Sequence, residues 1–156
     1  TVTDNSETLL KRKLCKACQV YIDRRIETAT TAMNDAQRSA NEEDKSSAGD
    51  KYETGRAMMQ IEREKAASQL EEALKLKRII DQVSPEVHHE SVSPGSVVIT
   101  KLFNAFIAIG AGKIKVDDND FLVVGTQSPL GNELLGRKAK DQFIFNNQPN
   151  VIIKIF

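Results

Sequence analysis

Between Leu10 and Ala40 the chain contains neither glycine nor proline, and its apolar or small residues Leu14, Cys18, Ile22, Ile26, Ala29, Met33, Ala36 and Ala40 advance by three or four. A long run with that period is accommodated by one long helix carrying one apolar stripe. A second run, from about Asp50 to Val83, places Met59, Ala66, Leu70, Ala73, Leu76, Ile80 and Val83 on a comparable stripe, and Ser84-Pro85 ends it. Lys, Arg, Glu and Gln fill the opposite faces. Two helices of about thirty residues, each about 45 to 50 Å long at 1.5 Å per residue, predict an antiparallel hairpin. Pairing its ends sets the fold-back near Lys45 and puts Glu42, Glu43 and Asp44 at the turn. The first stripe passes from large residues to alanines towards that turn, so less apolar area is buried there and fraying is expected.

After Pro85 the composition changes. Residues 85–94 read as a linker, and from Gly95 onwards β-branched and aromatic residues gather in short runs: Ser96 to Thr100, Phe103 to Ile109, Lys113 to Val116, Phe121 to Val124, Gln142 to Phe145 and Val151 to Phe156. Within "SPLGNELLG", Ser128 suits an N-cap, Pro129 a first helical position and Gly136 a stop. The expected fold class is therefore α+β: a helical hairpin over 1–84, a linker over 85–94, and a small antiparallel sheet with one short helix over 95–156.

At 156 residues the chain can bury a modest core without metal or disulfide. Lys plus Arg and Asp plus Glu are equal at 22 each, so no global field draws it to nucleic acid or membrane, and an electrostatic partner has to be met by a local patch. No apolar run approaches the length of about eighteen residues that a membrane helix needs, and no start resembles a signal peptide, which makes the cytoplasm the expected compartment. The single Cys15-x-x-Cys18 pair lacks the further ligands of a tetrahedral zinc site and falls in a helical pattern, where packing is the expected role and reduced thiols the expected state. His88-His89, between Glu86 and Glu90, has no third positioned ligand. Gly110-Ala111-Gly112-Lys113 lacks the upstream glycine and the following Ser or Thr of a phosphate loop, and reads as a strand connection. No Ser, His and acid set forms a hydrolase constellation.

Two stretches carry a resemblance. "SPLGNELLGRKAKDQFIF" followed by "VIIKIF", with "PGSVVIT" and "FIAIG" upstream, is similar to the C-terminal domain of the Gre family of bacterial transcript-cleavage factors, whose Ser-Pro-x-Gly helix precedes a Gly-Asp and a closing Ile/Val-rich strand. That resemblance implies an FKBP-like fold for the C-terminal part behind an N-terminal antiparallel coiled coil. It implies RNA polymerase as partner, entered through the secondary channel and docked by the segment Ser128, Pro129, Leu130 and Gly131, with DNA and nascent RNA met indirectly. It also implies a transient Mg²⁺, shared with the polymerase and held by carboxylates at the coiled-coil turn, so that the protein stimulates cleavage of backtracked transcripts without being an enzyme itself.

Two positions depart from the family pattern. The Gly-Asp after the short helix is Lys140-Asp141 here. At the turn, "GDKYET" keeps only the spacing Gly49-Asp50 and Glu53, whereas the fold-back geometry favours Glu43 and Asp44. Both pairs stay candidate metal ligands. Magnesium prefers oxygen donors and keeps several waters, so one or two carboxylates need donors from the partner. Like charges about 4 Å apart repel by roughly 1 kcal/mol in water, so an exposed turn also tolerates such a cluster with no function attached. Lys51, Arg56, Arg63 and Lys65 could meet displaced RNA phosphates or pair with Glu53, Glu62 and Glu64 on a solvated helix. Tyr52 could stack on a base or close the last core layer. The alternative function is a non-catalytic occupant of the same channel that modulates transcription. A prolyl isomerase, implied by the fold alone, is disfavoured because the phenylalanines of this half, without Trp or Tyr, are needed for its core. Exposed apolar residues on the helices leave self-association open.

Overall fold

A computed structural model describes the backbone of residues 5–43 and 49–156 and the side chains of residues 5–42 and 53–156. Nine elements follow in order: α1 (Asn5–Glu43), α2 (Gly49–Asp81), β1 (Val97–Thr100), β2 (Asn104–Ala108), β3 (Gly112–Val116), β4 (Asn119–Gly125), α3 (Pro129–Leu134), β5 (Gln142–Phe145) and β6 (Gln148–Ile155). Two packed helices precede a six-stranded sheet with one short helix, an α+β arrangement. Among the described residues no helix is long and apolar enough to cross a membrane.

The chain divides into two compact units, Val20–Lys77 and a second that runs up to Gln19 and resumes over Arg78–Phe156. In the first, the helices pair antiparallel. Gln37 Oε1 accepts from Arg63 Nη1 at 2.8 Å, Ala40 and Asn41 share a cleft wall with Arg56 and Met59, and Ala29 shares one with Gln69, so rising numbers on α1 meet falling numbers on α2. Ala29 and Ala36, seven apart, and Ala66 and Ala73, seven apart, are buried. Ile26, Met33, Ala40, Met59, Leu70 and Leu76 flank them half-buried. The stripe read from the sequence is the contact face. A seven-residue repeat keeps that face in line along a helix pair. The expected fraying at the turn falls on residues 44–48, outside the described set.

In the second unit the strand order is β3-β4-β2-β1-β6-β5. The sheet is mixed, where an antiparallel one was expected: β2 and β4 run parallel, from Asn104↔Phe121 to Ala108↔Gly125, while every other neighbouring pair is antiparallel. The cause is the placement of β4 between β3 and β2. Asp117-Asp118, both at positive φ (51° and 64°), turn β3 tightly into β4, and β4 then pairs on its free side with β2, which points the same way. Asn146-Asn147 (φ 52° and 61°) close β5 onto β6 in the same manner, as two-residue hairpin turns require.

Both faces of the central strands are buried. One carries Val98, Ala105, Ile107, Ile152 and Ile155 beneath Leu130 and Leu134 of α3, with Val92 and Phe143 in the same cluster. The other carries Val97, Phe106, Phe121 and Val123. Strands buried on both sides explain why "NAFIA" and "FLVV" are nearly continuous apolar runs. Of the two edges, β3 carries Lys113 and Lys115, whereas β5 reads Gln-Phe-Ile-Phe.

Candidate functional site

At the hairpin turn, Glu43 is the last residue of α1, and Asp50 is the second of α2. Glu43 therefore precedes the five-residue link 44–48, Asp44 is its first residue, and Asp50 and Glu53 follow it. Asp44 and the side chains of Glu43 and Asp50 lie outside the described residues, as do those of Lys51 and Tyr52. Glu53 is exposed, one turn into α2. An acid in the first turn of a helix also meets unsatisfied N–H groups, an ordinary reason for carboxylates there. Arg56 and Lys65 are exposed, and Arg63 is bound to Gln37 across the helix pair, which gives this arginine a structural task. The cleft between Ala36, Ala40, Arg56 and Met59 holds about 90 Å³, small against the roughly 300–1,000 Å³ of a ligand pocket.

The Ser128–Gly131 segment is built as a cap. Ser128 sits at φ −69°, ψ 159°; its Oγ accepts from the Gly131 N–H at 3.0 Å and donates to the Gly125 carbonyl at 2.7 Å. Pro129 opens the helix and is exposed, Leu130 is buried in the core, and Gly131 is buried where a Cβ would lie 2.0 Å from Gly125 O. Gly136, at φ +80°, stops the helix and sends its N–H to Val92 O at 2.9 Å. The cap, first position and stop read from the sequence all hold. Of the four residues assigned to partner binding, Pro129 is the one fully on the surface.

Lys140 stands where the resembling pattern has glycine, and its φ is +75°. Its N–H donates to Ile152 O at 2.8 Å, and Asp141 Oδ2 accepts from the Lys138 N–H at 2.8 Å, so the turn is held on both sides. A left-handed conformation costs an L-residue roughly 1–2 kcal/mol. Lys140→Gly is expected to raise unfolding stability by about 1 kcal/mol, after the entropy that glycine loses on folding; a urea midpoint unchanged or lowered would contradict this.

The base of α1 holds residues that the sequence reading passed over. Lys11 is fully buried, its Nζ donating to Val87 O at 2.7 Å and lying 5.9 Å from the Phe156 ring centroid. Burial pulls its pKa down to about 8, against the pull of Glu7 and Cys15. Glu7 Oε1 lies 2.5 Å from Lys154 Nζ, and Glu7 Oε2 lies 3.7 Å from His88 Nδ1. Lys11 was legible in principle, since it precedes Leu14 and Cys15 by three and four positions on the apolar stripe. Cys15 and Cys18 are buried and unlinked, and burial pushes both thiols up, Cys18 to about 12, so they pack as apolar residues. Gly112, at φ +75°, opens β3, and Gly110–Lys113 is the strand connection expected. Among the described residues no group of three His, Cys, Asp or Glu could hold a metal.

A scan against protein-family models, a search of curated proteins and a search of solved structures each returned no match.

Proposed function

We propose that this protein is a Gre-like elongation factor, which enters the secondary channel of RNA polymerase with its helix pair and promotes cleavage of backtracked transcripts. The observation that carries the reading is the pairing of two long antiparallel helices, 39 and 33 residues, joined by a short link that begins with Asp44 and lies between Glu43 and Asp50. The capped Ser128–Gly131 helix on a six-stranded sheet, which we read as FKBP-like, supports it. The chain is not itself the catalyst: its carboxylates are oxygen donors of the kind Mg²⁺ takes, and too few to hold it alone. Glu43 with Asp44, or Asp50 with Glu53, would share that ion with acids of the polymerase. Such an ion beside the polymerase's own would complete a two-metal arrangement, in which one ion activates water and the other stabilises the departing oxygen. This chain's part is to carry charge to that place and fix its position. The polymerase, with DNA and nascent RNA held by it, is the partner, and the cytoplasm the compartment.

A stalled elongation complex with Mg²⁺ and radiolabelled transcript tests the proposal. Adding the protein is expected to shorten the transcript from its 3′ end at a rate well above the intrinsic one. Binding without shortening would replace this reading with the non-catalytic channel occupant, which the incomplete "GDKYET" turn pattern favours.

A further inference from the structure

Three consecutive linker residues meet the first two turns of α1, at Glu7 and at Lys11-Arg12. Glu86 Oε1 accepts from Arg12 Nη2 at 2.8 Å, Val87 O accepts from Lys11 Nζ at 2.7 Å, and His88 Nδ1 faces Glu7 Oε2 at 3.7 Å. The fourth, His89, turns inward. Its Nδ1 is sealed from solvent and has no hydrogen-bond partner. A Cβ built at Gly95 would sit 3.6 Å from His89 Cε1 and 3.3 Å from Val83 Cγ1, so the ring lies where a glycine at φ +91° leaves room.

We propose that His89 is the trigger of an acid-operated clasp, in which its protonation lifts the 86–89 linker off the first turns of α1. Its surroundings make the proton hard to keep in place. Lys11 of α1 and the adjacent His88 are the charged neighbours that act on it, and Lys11 in turn is held by Val87 O and lies near the Phe156 ring, with Glu7 and Cys15 pulling on it. The carboxylate of Glu7 is already engaged by Lys154 and His88, and that of Glu86 by Arg12. A charged His89 thus gains a second N–H in a sealed space beside a buried ammonium, without an acceptor. Release to water relieves this, and it draws Val87 away from Lys11 because the residues are neighbours in the chain. Burial first, then Lys11 and His88, hold the His89 pKa below the ordinary 6.5. The unfolded or opened form therefore binds more protons than the closed form below about pH 6.5, and closure weakens as pH falls through that window. The clasp rests on described residues alone and stands or falls independently of the polymerase reading.

The full chain, observed by NMR between pH 7.5 and 5, tests it. The His89 ring resonance is expected to titrate below 6.5. Amide protection over residues 8–15 and at Val87 and His88, corrected for intrinsic exchange, is expected to fall by up to about tenfold per pH unit from about 6.5 down to the His89 midpoint of the closed form and to level off below it, with β2 and β4 unchanged. His89→Gln should flatten that dependence, whereas His88→Gln should keep it. Lys11→Met should move the His89 titration upward, which a purely packing role for Lys11 and His89 would not do. A His89 titration at or above 6.5 in the unmodified chain, or protection that still falls with acid in His89→Gln, overturns the clasp. If His89→Gln does not fold, the unmodified titration and the Lys11→Met shift decide it.

Discussion

Alanine at Gly131 is expected to lower unfolding stability by about 3 kcal/mol, the sum of an overpacking cost and a lost helix cap. The new Cβ would fall 2.0 Å from Gly125 O, 3.0 Å from Gly125 C and 3.0 Å from Ser128 Oγ. Two of those atoms are backbone, so no side-chain rotation relieves the clash. The turn from Gly125 to Ser128 has to move, and with it go the hydrogen bonds from Ser128 Oγ to Gly125 O and from the Gly131 N–H to Ser128 Oγ. Leu130 and Leu134, which α3 inserts into the core, are displaced by the same shift. Gly136 provides the control. Nothing lies within 4 Å of its missing Cβ, so Gly136→Ala bears only the left-handed backbone cost of about 1 kcal/mol. Urea unfolding of the two variants should rank them in that order; equal losses would mean that the close approach at Gly131 is not what the residue is for.

The second large effect concerns activity and leaves the fold intact. In the cleavage assay, converting the operative turn carboxylates to their amides or to alanine is expected to reduce stimulated cleavage on the order of 100-fold, the scale seen when groups supporting a metal site are lost. Each of Glu43, Asp44, Asp50 and Glu53 is to be replaced singly, with polymerase binding and helix content measured in parallel. Glu53 is exposed, and a change at such a position typically alters stability by less than about 0.5 kcal/mol, so lost cleavage with retained binding isolates the chemistry. The result also separates the two candidate pairs, since either Glu43 and Asp44 or Asp50 and Glu53 should respond. Four silent substitutions would leave a protein that occupies the channel without serving the reaction.

Much of the architecture was legible because it rests on local rules. The three- and four-residue spacing from Leu14 to Ala40 and from Met59 to Val83 marked the buried faces, and α1 ends at Glu43 and α2 starts at Gly49, with the fold-back expected near Lys45 lying outside the described residues. Ser128, Pro129 and Gly136 announced α3 through cap chemistry, and the six apolar runs each became a strand. What was not legible depends on partners distant in the chain. The parallel pairing of β2 with β4 leaves no local trace, since "NAFIA" and "FLVV" would suit either direction. The network of Glu7, Lys11, His88 and Lys154 brings together residues separated by more than seventy positions, and each of them alone resembles a surface charge. Lys140 departs from the Gly-Asp pattern in the sequence, but its left-handed backbone belongs to the turn that Ile152 and Asp141 hold around it.

The alanine spacing of the helix pair sets how its reach can be adjusted. Because Ala29 and Ala36 on α1 and Ala66 and Ala73 on α2 repeat every seven residues, removing seven residues from both arms, or adding seven, restores the same contacts one repeat further along. Each arm would then shorten or lengthen by about 10 Å for each repeat at 1.5 Å per residue, while the sheet, its capped helix and the histidine-bearing linker keep their own structure. The pair is graduated like a gauge rod, and its length can change in fixed steps without a new interface.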